Sequence, residues 1–159
     1  MEKIILGVGG IVIKENKVLL VRHTYGQFKG KWIIPGGHVE SGENIDDAVL
    51  REVKEETSIT AKIKNIVSIR SLVLPDKRSE VYIVFLLDYV NGTPVSDHKE
   101  NDAAGFFDIT KVTENEDVVF LSRYLIKKII TGNNNKLSID TEYFYSNMNN
   151  INKNFKLYD

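Results

Sequence analysis

Apolar positions recur along this chain with two different periods. Residues 3–14 and 17–23 are apolar and β-branched on either side of Glu15-Asn16, which predicts a β-hairpin with a short turn. Residues 24–31, TYGQFKGK, hold two glycines and read as a loop. Trp32-Ile33-Ile34 predicts a short strand that Pro35-Gly36-Gly37 stops. The period then changes. Ile45, Ala48, Val49 and Val53 are spaced along one face of a helix running from an Asn44 cap to about Thr57, with Asp46 and Asp47 in its favourable first turn. Residues 61–74 alternate loosely, as one strand with an interruption would, and Pro75-Asp76-Lys77-Arg78 reads as a turn. VYIVFLLDYV, Val81 to Val90, is the strongest strand signal and predicts burial on both faces. Asn91-Gly92 predicts a hairpin-type turn, 93–102 a polar loop, Ala104 to Ile109 a short strand, and Val118 to Ile130 a second amphipathic helix. Strands, helix, strands, helix is the order of an α+β domain with a mixed sheet between helices, over residues 1–130.

From Thr131 to Asp159 the pattern is lost. This extension is Asn-rich, yet Tyr143, Phe144, Tyr145, Phe155 and Tyr158 give it aromatic anchors that a purely solvated tail lacks. Two readings stay open: a flexible tail, or an added element packed on the domain or on the partner subunit of a homodimer.

Composition narrows the function classes. The 159 residues suit one domain and bury enough surface to need no disulfide or structural metal. A net charge of −1 supplies no basic field for bulk nucleic-acid binding. The absence of cysteine removes thiolate catalysis and Cys zinc sites and fits a reducing compartment. The apolar run Ile4 to Ile13 is far short of the ~20 residues that span a bilayer. It is followed by Lys14, Glu15 and Asn16 in place of a cleavage site, so no membrane association and a cytoplasmic location are expected.

The candidate chemistry lies in Gly37 to Ile59, GHVESGENIDDAVLREVKEETSI. Glu52, Glu55 and Glu56 stand at i, i+3 and i+4, on one face of the predicted helix. Like charges that close repel by a few tenths of a kcal/mol per exposed pair, on the order of 0.2–0.5 kcal/mol. Such a face either points into water or holds cations, and hard ions such as Mg²⁺ want oxygen ligands. Arg51 is spaced to pair with Glu55 at i+4, a surface contact of ~0.5 kcal/mol or less.

Gly37, Glu43, then Arg51-Glu52-Val53-Lys54-Glu55-Glu56 and Ile59 resemble the signature box of the Nudix hydrolases, the MutT-like family. The hairpin, the Lys31 to Gly37 lead-in, the long strand and the closing helix resemble the family as well, over about residues 3–130. Ser58 departs from the pattern, which has Gly there to end the helix in a left-handed turn.

The resemblance implies a Nudix fold, a mixed β-sheet sandwiched between α-helices. It implies hydrolysis, with Mg²⁺ or Mn²⁺, of a diphosphate linkage in a nucleoside diphosphate joined to another group, either ADP-ribose-like or a nucleoside triphosphate. The alternative is a non-catalytic nucleotide-binding or regulatory module on the same fold, which tends to lose the carboxylates that this chain keeps. By the same resemblance Glu52, Glu55, Glu56 and the Gly37 carbonyl hold metal, Arg51 orients the box carboxylates including Glu43, and Glu52 or Glu100 is the general base. Asp102 competes with Glu100, which also reads as an ordinary loop carboxylate. Arg22, Arg70, Arg78 and Trp32 are the substrate-binding candidates, with Tyr25, Phe28, Tyr82 and Phe85 placed to stack a base or to fill the core. Pro75 lies about sixteen residues past the box, where ADP-ribose-hydrolysing members often carry a proline.

Overall fold

The structure, a computed structural model, describes residues 4–132 and the backbone of residues 155–158. β1 (Ile5–Lys14) and β2 (Lys17–His23) form the expected hairpin, with Glu15 at φ 54° in its turn. A single 3-10 turn, Gly26–Phe28, interrupts the loop before β3 (Trp32–Ile33). β4 (Gly36–His38), α1 (Ile45–Thr57), β5 (Thr60–Val73), β6 (Ser79–Asn91), β7 (Asn101–Asp108), α2 (Ile109–Glu114) and α3 (Phe120–Ile130) follow. β8 (Phe155–Tyr158) closes the chain and pairs antiparallel with β5. The aromatic anchors Tyr143, Phe144 and Tyr145 lie outside the described residues.

One eight-stranded sheet runs β3-β2-β1-β6-β5-β8, with β4 on β1 and β7 on β2. β1 and β6 pair in parallel, while the other pairs between named strands are antiparallel, so the sheet is mixed. Period-two alternation sends its side chains to two cores. Val8 and Val12 of β1, Leu19 of β2 and Ile83, Phe85 and Leu87 of β6 pack on Ala48, Val49 and Val53 of α1. Ile11, Val18, Leu20, Val84 and Leu86 face the other way, onto Ile109 and Val112 of α2 and Leu121, Leu125 and Ile126 of α3. β6 is therefore buried on both faces over 83–87, as its continuous apolar run predicts.

Two expectations need correction, a third gains its physical cause, and one helix carried no signal in the sequence. Asn91-Gly92 does not turn a hairpin: β6 already has β1 and β5 on its two edges, so the chain leaves it and β7 pairs with β2 instead. The loose alternation of 61–74 comes from register shifts in β5 at Thr60/Ala61, Ile63/Asn65 and Ile66/Ser68, which are bulges in one continuous strand. The stop read at Pro35-Gly36-Gly37 is the strand β4, paired Val8↔Gly37 and Gly9↔Gly36. A Cβ at Gly36 would fall 2.2 Å from the Val8 carbonyl oxygen, so this pairing needs glycine. The short helix α2 is held by the Asp108 carboxylate, which accepts from the Thr110 and Lys111 amides; a six-residue helix leaves too little periodicity to read.

Ser58 ends α1 at φ 61°, ψ 8°, with its amide donating to the Lys54 carbonyl at 2.9 Å. A left-handed cap thus forms without glycine, at a cost of about 1 kcal/mol. No helix among the described residues is long and apolar enough to cross a membrane.

Candidate active site

The site forms where β4 passes the carboxylate face of α1. Ala48, Val49 and Val53 pin α1 to the sheet, which turns Arg51, Glu52 and Glu56 toward the Gly36-Gly37 backbone. Glu52 lies so close that a Cβ on Gly37 would meet its Cδ and Oε1 at 2.5 Å. The Gly-Gly pair thus serves twice, once for strand pairing and once to admit this carboxylate.

Arg51 is the hub of the cluster. Its Nε and Nη2 donate to Glu43 at 2.8 and 3.0 Å, its Nη1 to Glu52 at 2.8 Å and to Glu55 at 3.4 Å, and its Nη2 also to the His38 carbonyl at 3.1 Å. Five donors in a rigid fork make this possible where lysine would not serve. The guanidinium, with the Glu40 amide at 3.0 Å, holds the Glu43 carboxyl down at about 2. His38 contributes its backbone alone to this network. Glu55 is mostly exposed, with 61% of its side chain in solvent.

Glu56 is the opposite case. It is 3% exposed, and burial pushes its carboxyl up to about 8. The Asn101 side-chain amide and the Gly36 amide oppose that shift, donating to Oε1 at 2.7 Å and to Oε2 at 2.8 Å, while Glu52 and Glu100 add to it. Burial also raises Glu52, against the pull of Arg51. A buried carboxylate that feels two more is costly to ionise unless a positive charge offsets it.

Glu100 arrives from the loop before β7. Tyr25 donates its hydroxyl to Glu100 at 2.9 Å, and burial followed by that hydrogen bond pushes the phenol up to about 12. Asp102, its competitor in the sequence, is held by Arg22 at 2.8 and 3.1 Å, and it is Glu100 whose charge is felt at Glu52 and Glu56.

A cleft of about 710 Å³ opens between the Tyr25–Phe28 segment, the Gly36–His38 strand and the start of α3, and it shares Gly36 and Gly37 with the carboxylate cluster. Of the four substrate-binding candidates only Arg70 lines it, ion-paired with Glu80 and with its guanidinium 5.1 Å from the Tyr82 ring centre. The other three lie outside its lining. Arg22 pairs with Asp102 and lies 5.7 Å over the Trp32 ring, Trp32 packs edge-on against Phe107 at 4.6 Å, and Arg78 pairs with Asp76 in the β5–β6 turn. Pro75 sits in the same exposed turn, away from the cleft. Tyr25, Phe28 and Tyr82 line the cleft, whereas Phe85 belongs to the core beneath α1. His23 lines it too, its imidazole pushed down by burial against the pull of Glu100 and Asp97.

Asn101 was not legible as a site residue. It carries no charge and no spacing, and its one signal is that it follows Glu100. Among the described residues no three Asp, Glu, His or Cys side chains already converge as a metal shell.

The NUDIX domain profile matches residues 3–129. The chain belongs to the Nudix family. An ADP-ribose pyrophosphatase of Methanocaldococcus jannaschii is 39% identical over 108 residues, covering 67% of this chain and 63% of that protein. The NAD-capped RNA hydrolase NudC of Vibrio atlanticus is 32% identical over 119 residues, covering 75% of this chain and 43% of its own length. This Nudix chain thus spans less than two-thirds of either curated relative. In fold it is similar to the crystal structure of a MutT NUDIX hydrolase from Burkholderia pseudomallei, with TM-score 0.70 at 22% identity over 80% of this chain and 99% of that one. Hydrolases of the family generally need a divalent metal.

Proposed function

We propose that this chain hydrolyses the diphosphate linkage of a nucleoside diphosphate joined to a second group, with ADP-ribose the first substrate to test. The observation that carries the reading is the buried Glu56 carboxylate. It is pushed up to about 8, with Glu52 and Glu100 adding to the charge around it. Such a cluster is stable as anions only around a cation, and its donors are hard oxygens, so Mg²⁺ or Mn²⁺ fits its chemistry. Glu52, Glu55, Glu56 and the Gly37 carbonyl would hold the ion, drawing in the carboxylates that Arg51 holds in this structure. Bound there, the ion neutralises the diphosphate and lowers the pKa of water.

The remaining work falls to the chain. The cleft takes the two substrate ends, with Tyr25 and Phe28 offering aromatic faces and Arg70 a positive one. Arg51 fixes Glu52 and Glu43 in place. A water oxygen adds to phosphorus, the phosphorus–oxygen anhydride bond breaks, and the water's proton goes to a carboxylate, Glu52 or Glu100. With ADP-ribose the products are AMP and ribose 5-phosphate. The 39% identity to a protein named ADP-ribose pyrophosphatase supports this choice of substrate.

The test is a hydrolysis screen over ADP-ribose, dNTPs, diadenosine polyphosphates, nucleotide sugars and 5′-capped RNA, run in Mg²⁺ and in chelator, with the nucleoside monophosphate product resolved by ion-exchange chromatography. The expected result is turnover of ADP-ribose that the chelator abolishes. No turnover of any diphosphate in Mg²⁺ or Mn²⁺ would leave a binding module as the better reading.

A further inference from the structure

Asn101 is completely buried at the start of β7 and spends its side-chain amide on Glu56 Oε1, at 2.7 Å. Glu56 Oε2 accepts from the Gly36 amide at 2.8 Å, at the start of β4. The two donors come from different strands and take one oxygen each, so the carboxylate cannot rotate about its terminal bond without losing both. Each oxygen keeps a further lone pair for another partner.

Asn101 is itself fixed. The Asp97 carboxylate accepts from the amides of Lys99 at 3.0 Å, Glu100 at 3.2 Å and Asn101 at 3.0 Å, and Asn101 pairs with His23 across β2 and β7. The loop that carries Glu100 is thereby tied to the helix that carries Glu56. The cost is visible: Asn101 Oδ1 is buried and takes no hydrogen bond among the described residues. An apolar side chain of the same shape would fill this place without an orphaned acceptor. The amide is kept for the Glu56 carboxylate, whose Oε1 it supplies with a donor and fixes in direction.

We propose that Asn101 is a positioning residue that aims Glu56 for metal binding and sets the Glu100 loop over the same face. The proposal rests on the reading that Glu56 holds a divalent cation. It assigns Asn101 no contact with substrate.

The test measures Mn²⁺ binding by electron paramagnetic resonance for the full chain and for Asn101→Leu, Glu56→Gln and the double variant, alongside turnover. Loss of an outer partner of a metal ligand weakens metal affinity by ~10-fold to ~100-fold. Asn101→Leu is expected to weaken Mn²⁺ binding in that range and lower kcat, with KM for the nucleotide changed less than about 3-fold. Added to Glu56→Gln, it is expected to have no further effect on Mn²⁺ affinity, since its target is gone. A second measurement needs no variant: the Asn101 side-chain amide resonances of the unaltered chain are expected to shift on saturation with Mg²⁺. Unchanged Mn²⁺ affinity in folded Asn101→Leu overturns the proposal and leaves the metal reading standing. Amide resonances that ignore Mg²⁺ also overturn it. An unaltered chain that binds no Mn²⁺ overturns the metal reading beneath it.

Discussion

Gly37→Ala isolates the contact on which the site turns. Gly37 is not among the residues with positive φ, so alanine fits its backbone. What alanine does not fit is Glu52: the new Cβ would stand 2.5 Å from Cδ and Oε1 and 2.7 Å from Oε2. Ordinary carbon contacts lie at ~3.5–4.0 Å, so the carboxylate must retreat by about 1 Å. Retreat lengthens or breaks its 2.8 Å bond from Arg51 Nη1. Stability changes little, because a flexible carboxylate yields. The loss of one hydrogen bond, about 1 kcal/mol, is offset by the reduced freedom of the unfolded chain, about 0.4–1 kcal/mol. Chemistry is less forgiving, and a misplacement of ~1 Å costs about 100-fold, or ~2.7 kcal/mol of barrier. The assay is kcat under saturating Mg²⁺ and substrate, with melting temperature measured on the same preparation. A folded Gly37→Ala protein with kcat within a factor of about three of the unaltered chain would refute the reasoning, since it would mean that Glu52 need not sit where the structure has it.

Other consequences follow from the same geometry. Glu56 is raised from 4.5 to about 8, so the folded chain keeps a proton that the unfolded chain releases between those values. In chelator its contribution to stability is full below pH ~4.5 and falls as pH rises to ~8, by up to about 5 kcal/mol. Urea unfolding against pH checks this, and Glu56→Gln is expected to flatten the slope; a slope unchanged in that variant would contradict the burial assignment. Arg51→Lys, which cannot reach five acceptors at once, is expected to lower kcat by ~10-fold to ~100-fold with the fold intact, read by steady-state kinetics and circular dichroism. Ser58→Gly relieves the left-handed cap and is expected to stabilise by about 1 kcal/mol, raising the melting temperature by about 2–4 °C.

The order of strands and helices was legible because period two and period 3.6 separate cleanly in β1, β2, β6 and α1. The Glu52, Glu55, Glu56 spacing was legible because it is local to one helix. What escaped depends on partners distant in the chain. β4 reads as a stop, since the reason for Gly36 is the Val8 carbonyl in another strand. Gly92 reads as a hairpin because nothing local says that β6 has both edges taken. The pairing of Arg22 with Asp102, 80 residues further on, has no local signal. Asn101 is silent because an uncharged amide acquires its role only when Glu56 is packed against it.

Everything above turns on the carboxylate face of α1 performing a metal-dependent hydrolysis. The most direct measurement is turnover of the best-cleaved diphosphate by the full chain in Mg²⁺, beside Glu56→Gln in Mg²⁺ and the unaltered chain in chelator. Turnover is expected in the first case, a loss of at least ~100-fold in the second and no turnover in the third. Near-full activity in folded Glu56→Gln, or an equal rate in chelator, would contradict it.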